Sequence, residues 1–179
     1  MRTLIMAVAA AGFVLTANSL WAQRDAGSKI RGDAYRSAYS TWSGGAYQRN
    51  AYQHARVLQQ ATSSGKPVPK AVATEQTDAI RHNLEAAKKH FAMLRDQVKD
   101  DPTAIKLLDS IDRHHKKAIE MCGDIEAACA TGEGDAVTVN NCCATAADEL
   151  KAAQADYEKL MAHFKLPMPG EAAKPGAKK

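Results

Sequence analysis

The sequence predicts an all-α fold, an antiparallel up-down-up-down four-helix bundle. Three observations lead there. Apolar residues recur at alternating spacings of four and three in separate stretches, the rhythm of a helix with one buried face. Glycine- and proline-containing segments separate those stretches. One connection, Asp100-Asp101-Pro102, is so short that it forces the helices on either side to be antiparallel neighbours.

Residues 1–22 read as a secretory signal peptide. Arg2 supplies the positive n-region, residues 4–15 an apolar h-region, and Trp21-Ala22-Gln23 the cleavage end, with Ala22 the last residue removed. The apolar run is short of the roughly 20 residues a membrane span needs, and no cysteine follows it to carry a lipid. The expectation is an exported chain, periplasmic or extracellular, with no membrane span after signal cleavage. Four cysteines, an even count, agree with an oxidising compartment. Removing 22 of 179 residues leaves 157, enough for one domain, and losing Arg2 takes the net charge from +4 to +3. That mild charge, with no basic patch interleaved with aromatics, argues against nucleic acid.

Residues 23–45 read as a flexible lead. It is basic at Arg24, Lys29, Arg31 and Arg36, aromatic at Tyr35, Tyr39 and Trp42, and glycine-rich; the aromatic spacing of four then three fits either a short helix packed on the bundle or a contact with a protein partner. Arg31-Gly32-Asp33 matches an adhesion tripeptide, but three residues match too often by chance to count. The bundle itself spans 46–166. A short first helix over 46–61 has the seam Tyr47, Ala51, His54, Leu58, Ala61. An apolar side left open on this helix would allow a homodimer. Residues 63–70 form a loop. A second helix over 73–99 carries Ile80, Leu84, Ala87, Phe91, Leu94 and Val98, with Thr74 as its candidate cap. The tail 167–179, dominated by proline, glycine and lysine, reads as disordered.

The strongest pattern is a hairpin over 104–164. Its first arm places Ala104, Leu108, Ile111, His115, Ala118, Cys122, Ile125 and Cys129 on one seam. The second places Val139, Cys143, Ala146, Leu150, Ala153, Tyr157, Leu160 and Phe164 on another. A parallel row, Leu107, His114, Met121 and Ala128, widens the first face to the breadth a bundle core needs. Pro102 suits a first turn, and residues 131–135 supply the reversal. Counting outward from that reversal sets Cys122 level with Cys143. The expected helix 3–helix 4 hairpin is therefore disulfide-stapled by Cys122–Cys143 and Cys129–Cys142, while the crossed pairing, Cys122–Cys142 with Cys129–Cys143, satisfies the same register. A metal-thiolate reading competes, but the chain has no Cys-x-x-Cys, and an oxidising compartment favours disulfides.

Histidines carry the remaining chemistry. His54 and His115 fall on seams, His114 on the widened face, His90 and His163 beside seams, and His82 on the outer face. His90, His114 and His115 fall at similar heights on the second and third helices, so they form a candidate copper or zinc site. His54 is a remote fourth ligand, and Met93 and Met121 are soft donors for cuprous ion. A covalent haem is excluded because Cys-x-x-Cys-His is missing; a noncovalent haem b electron carrier needs only an axial His or Met pair. Asp112-x-x-His115 occurs once, without the second copy a dimetal carboxylate site requires. No nucleophile elbow, phosphate loop or His-Glu-x-x-His is present. The expectation is an exported, non-catalytic binding or interaction protein. Copper or zinc binding through the bundle histidines is the first alternative and a haem b carrier the second.

Overall fold

The structure, a computed structural model, describes residues 30–167, with side chains from residue 37. The expected signal peptide 1–22, the start of the lead and all of the tail beyond Pro167 lie outside the described residues. Among the described residues four helices, α1 (Ile30–Thr62), α2 (Lys70–Gln97), α3 (Pro102–Ala128) and α4 (Ala136–His163), form an all-α bundle. Two two-residue strands, β1 (Val68–Pro69) and β2 (Glu133–Gly134), join the α1–α2 and α3–α4 connections. Among the described residues no helix is long and apolar enough to cross a membrane.

The four-three rhythm sets the packing of three helices as read from sequence. In α2, Thr77, Ile80, Leu84, Ala87, Phe91 and Leu94 are buried, and in α3 Leu108, Ile111, His115, Ala118, Cys122 and Ile125. α4 buries Val139, Cys143, Leu150, Ala153, Tyr157 and Leu160. Phe91, Leu94, Leu108, Ile111 and Tyr157 pack in one end layer. Ile80, Leu84, Ala118 and Leu150 pack in the middle, and Leu58, Val68, Ile125 and Val139 at the far end.

The first helix corrects the sequence reading. Residues 30–45 are helical, so α1 runs 33 residues instead of starting at 46. Gly44-Gly45 reads as a break, yet both glycines are buried inside the helix. A Cβ at position 44 would stand 2.6 Å from Phe91 Cε1, and one at position 45 would overlap the ring of Tyr157. The glycines let α1 lie against these two aromatic rings. Its core face is also turned from the expected seam: Gln48, Ala51, Ala55, Leu58 and Thr62 are buried, while Tyr47 and His54 are half-buried and Ala61 is exposed. Apolarity alone selected the wrong stripe because much of the buried face is small or polar.

Side-chain pairs give the relation between helices. Ser37 Oγ bonds Gln97 Oε1 at 2.7 Å, and His54 Nδ1 meets Gln76 Oε1 at 2.9 Å, between α1 and α2. The Thr77 hydroxyl and the Arg81 guanidinium both reach Glu126, while Arg95 reaches Asp109 at 2.5 Å and Asp112 at 2.8 Å, between α2 and α3. Gln48 meets Gln154 and Thr62 meets Asn140 between α1 and α4.

The helix starts differ in kind. α2 begins at Lys70 behind Pro69, without a side-chain cap, so the expected cap Thr74 lies inside the helix. Asp101 caps α3, accepting from the Thr103 and Ala104 amides at 3.1 and 3.0 Å, with Pro102 following. Its second oxygen meets His163 Nε2 at 2.6 Å, tying the end of α4 to this turn. The Ala104 amide, then His163, hold the Asp101 carboxyl below its ordinary range. Asp101→Ala is expected to lower the melting temperature by a few degrees, and Asp101→Asn by less, because asparagine also caps. Thermal melts followed by far-ultraviolet circular dichroism check this; equal melting temperatures for all three proteins would remove the cap from the account.

At the other end, β1 and β2 pair antiparallel, Val68 against Gly134 and Pro69 against Glu133. The Lys70 amide donates to Gly132 O at 2.8 Å, and Lys70 Nζ to Ala130 O at 3.2 Å. Two connections distant in sequence are thereby fastened beside the cysteines.

Candidate functional site

The polar interior centres on His115. It is 4% exposed, and its Nε2 meets Gln48 Oε1 at 2.8 Å. Gln48 in turn donates from Nε2 to Gln154 Oε1 at 3.3 Å, and Gln154 to Glu158 at 3.2 Å. A polar chain therefore leads from the core to the surface through α1 and α4. Among the described residues His115 Nδ1 has no partner, nor at hydrogen-bond geometry does the buried Tyr157 hydroxyl. Burial pushes the Tyr157 phenol up, and the nearby Arg49 guanidinium opposes it. Burial, with a smaller contribution from the charge of His114, depresses the His115 pKa from 6.5 to about 4, so the ring is neutral at pH 7. Gln48 and Gln154 were missed in the sequence because a hydrophobic seam gives no sign of a buried amide.

The other histidines do not converge on His115. His90 stacks on Tyr47 at 5.6 Å between centroids and meets the edge of Tyr39 at 6.0 Å. His114 Nδ1 pairs with Glu149 Oε2 at 2.7 Å, and its Nε2 lies 3.8 Å from Asp156. His54 is taken by Gln76. Among the described residues no group of three or more His, Cys, Asp or Glu side chains is arranged to hold a metal ion. The expected ligands His90, His114 and His115, with His54 as the remote fourth, are not brought together as such a group. Equal height on neighbouring helices does not make side chains face one another: His90 is turned to α1, His114 to α4, and His115 into the core.

The chain matches no protein-family model, no curated protein and no solved structure.

The four cysteines are gathered around the β1–β2 end as free thiols, and none stands at bonding distance from another. Neither the staples Cys122–Cys143 and Cys129–Cys142 nor the crossed pairs are formed in this structure. They divide between two neighbouring layers: Cys122 belongs to the middle layer with Leu84 and Leu150, and Cys129 and Cys143 to the end layer with Leu58 and Val139, with Cys143 close enough to feel Cys122 and Cys129. A disulfide also requires converging Cβ vectors. Burial raises all four thiols, Cys122 and Cys143 to about 12. Cys142 alone is half-exposed; the other three are buried.

The outer face of the α1–α2 pair is the third candidate. Tyr39 is 54% exposed and Met93 45%, and Val57 and Val72 are also exposed. On α2 these belong to a second four-three row, Val72, Gln76, Ala79, Asn83, Ala86, His90 and Met93, of which the positions between the two ends are half-buried. Trp42 follows the helical alternative for these aromatics: it packs on the core and donates to Pro167 O at 3.3 Å.

Proposed function

We propose that this is an exported, non-catalytic binding protein, an up-down-up-down antiparallel bundle that presents the outer face of α1 and α2 to a helix of another protein. The single observation that carries the reading is the set of exposed apolar side chains on this helix pair, Val72 and Met93 at the two ends of an otherwise half-buried α2 row and Tyr39 and Val57 on α1. Exposed apolar side chains grouped on one face mark interaction surfaces more often than single ones do. The antiparallel reading is supported by Ser37 and His54 of α1 meeting Gln97 and Gln76 of α2, the later residue with the earlier. Arg81 and Arg95 of α2 follow the same order on Glu126 and Asp109 of α3. Export rests on the n-region, h-region and cleavage pattern of residues 1–22.

The test uses the mature chain immobilised as bait for proteins of the exported fraction, beside a Tyr39→Ser/Met93→Ser variant and a Val137→Ser control. Val137 is exposed on α4 and belongs to neither α1 nor α2. The expected result is a retained helical protein that the control keeps and the double variant loses. A retained set unaffected by Tyr39→Ser/Met93→Ser would overturn the assignment of this face. Sedimentation of the purified chain distinguishes a second copy: a dimer dissociated by the double variant would replace the foreign helix by the same helix pair of another molecule.

A further inference from the structure

Three basic residues of α2, Arg81, Lys88 and Arg95, stand seven residues apart, so they lie along one side of the helix. α3 answers two of them with carboxylates. Arg95 reaches Asp109 at 2.5 Å and Asp112 at 2.8 Å. Two heptads back, Arg81 reaches Glu126, which lies two heptads on from Asp112, so the register of the two helices holds from one pair to the other. Lys88 falls midway between them. One heptad on from Asp109 and Asp112, the α3 positions beside it are Lys116 and Ile119. Ile119 packs on the middle layer of the core. The next outward turn of α3 is Gly123, where a Cβ would meet nothing within 4 Å. The ladder thus has a cation and a carboxylate at either end, but two ammonium groups and no carboxylate at its centre. Lys89, Arg113 and Lys117 stand next to them, and all five cations are exposed. Among the described residues none of the five forms an ion pair. Glu85 and Glu120 are the only carboxylates of these two stretches, 85–92 and 113–120. Facing like charges are unfavourable unless a counter-charge comes between them.

We propose that the groove between α2 and α3 binds a diphosphate group, held over Ile119 between the ammonium groups of Lys88 and Lys116. Packed helices have axes about 8–10 Å apart. A lysine carries its charge on a flexible four-carbon stem, so one from each helix can close on the same anion. A single carboxylate would neutralise one ammonium and leave the other. Two linked phosphoryl groups offer each ammonium an oxyanion of its own, and Lys89, Arg113 and Lys117 offset the remaining charge from the sides. The bound anion does for Lys88 what Asp109 and Asp112 do for Arg95. Free pyrophosphate and the diphosphate of a nucleotide carry the same group. The site is separate from the apolar face described above. The row holding Val72 and Met93 also holds His90, which meets Tyr39 and Tyr47 of α1, whereas the Arg81–Lys88–Arg95 row meets α3.

The probes are pyrophosphate, inorganic phosphate and ADP, titrated calorimetrically into the folded full chain at low ionic strength and neutral pH. Saturable binding of one pyrophosphate per chain is expected. Lys88→Gln and Lys116→Gln should each weaken it at least about tenfold, the loss of one charge-assisted contact. Lys151→Gln removes the same charge from an exposed position on α4 and should weaken it less than about twofold. Inorganic phosphate, with one group to offer, should bind at least about tenfold more weakly than pyrophosphate. ADP bound as tightly as pyrophosphate would place recognition in the diphosphate alone, and ADP bound more tightly would make a nucleotide the source. Lys116→Glu sets a carboxylate where Asp109 serves Arg95; it should abolish pyrophosphate binding and raise the melting temperature of the ligand-free chain. Absence of saturable pyrophosphate binding, or equal losses in Lys88→Gln and Lys151→Gln, would overturn the proposal. So would inorganic phosphate bound as tightly as pyrophosphate, or a lowered melting temperature in Lys116→Glu, which would mean that position 116 does not face Lys88.

Discussion

Replacing Gly45 by valine is expected to destabilise the bundle by about 3 kcal/mol or more, the upper part of the range for overpacking a core. Local propensity argues the other way. An interior helical glycine costs about 0.5–1 kcal/mol relative to alanine, so removing one ordinarily helps. The decision lies with Tyr157, whose ring and hydroxyl occupy the space a Cβ would need. The ring is fully buried and cannot swing into solvent. Phe91 takes the same position against Gly44. Gly123 is the matched control: it is helical and exposed, and a Cβ there meets nothing within 4 Å. Gly123→Ala should therefore gain about 0.5–1 kcal/mol. Denaturant unfolding of the two variants decides the matter, and Gly45→Val/Tyr157→Leu should recover part of the loss. A Gly45→Val protein as stable as the parent would mean that α1 does not approach Tyr157 as described.

Lowering the pH from 7 to 4 is expected to cost about 3 kcal/mol through His115 alone. In the unfolded chain the imidazole has its ordinary pKa of 6.5; in the folded chain it is depressed to about 4. Between those values the unfolded state binds the proton and the folded state does not, so stability falls as pH falls. It is fully present above 6.5 and lost on the way down to about 4. That gap, at about 1.4 kcal/mol per pKa unit, gives the figure. The carboxylates act in a lower window. Hydrogen bonds hold Asp101 and Asp135 below the ordinary range of 3.8, and the bond from Arg81 holds Glu126 below 4.5. Their contributions are present above those ordinary values and disappear as pH falls through the folded ones. His115→Gln, which keeps a polar partner for Gln48, should be less stable at pH 7 yet nearly flat between pH 6.5 and 4.5. Chemical denaturation at several pH values measures both slopes; parallel slopes would show that His115 is not the group that titrates.

The sequence made the helices of the 104–164 hairpin and α2 legible because their buried faces are drawn in leucine, isoleucine, alanine and phenylalanine at helical spacing. It also marked His115 as a seam histidine and His82 as an outer one, and the structure places them so. Of α1 it revealed only the part over 46–61; the preceding part has a buried face that includes Ser40, Thr41, Gly44 and Gly45. Such residues read as a loop or a polar face until the rings they touch are known. Asp101 as a cap was hidden for the opposite reason: an aspartate before proline in a tight connection is equally good turn chemistry.

By itself the sequence determined the helical class, the position of the α2–α3 and α3–α4 connections, the gathering of four cysteines at one end, and the mild charge. All follow from local spacing, which repeats every turn and needs no partner to be read. Only the tertiary structure decided which way each histidine faces, which thiol reaches solvent, and that two glycines belong inside a helix. Those depend on the rotation of each helix about its own axis. Rotation is fixed by what fits between neighbours, here Phe91 and Tyr157 against Gly44 and Gly45, and a spacing rule along one chain does not contain it.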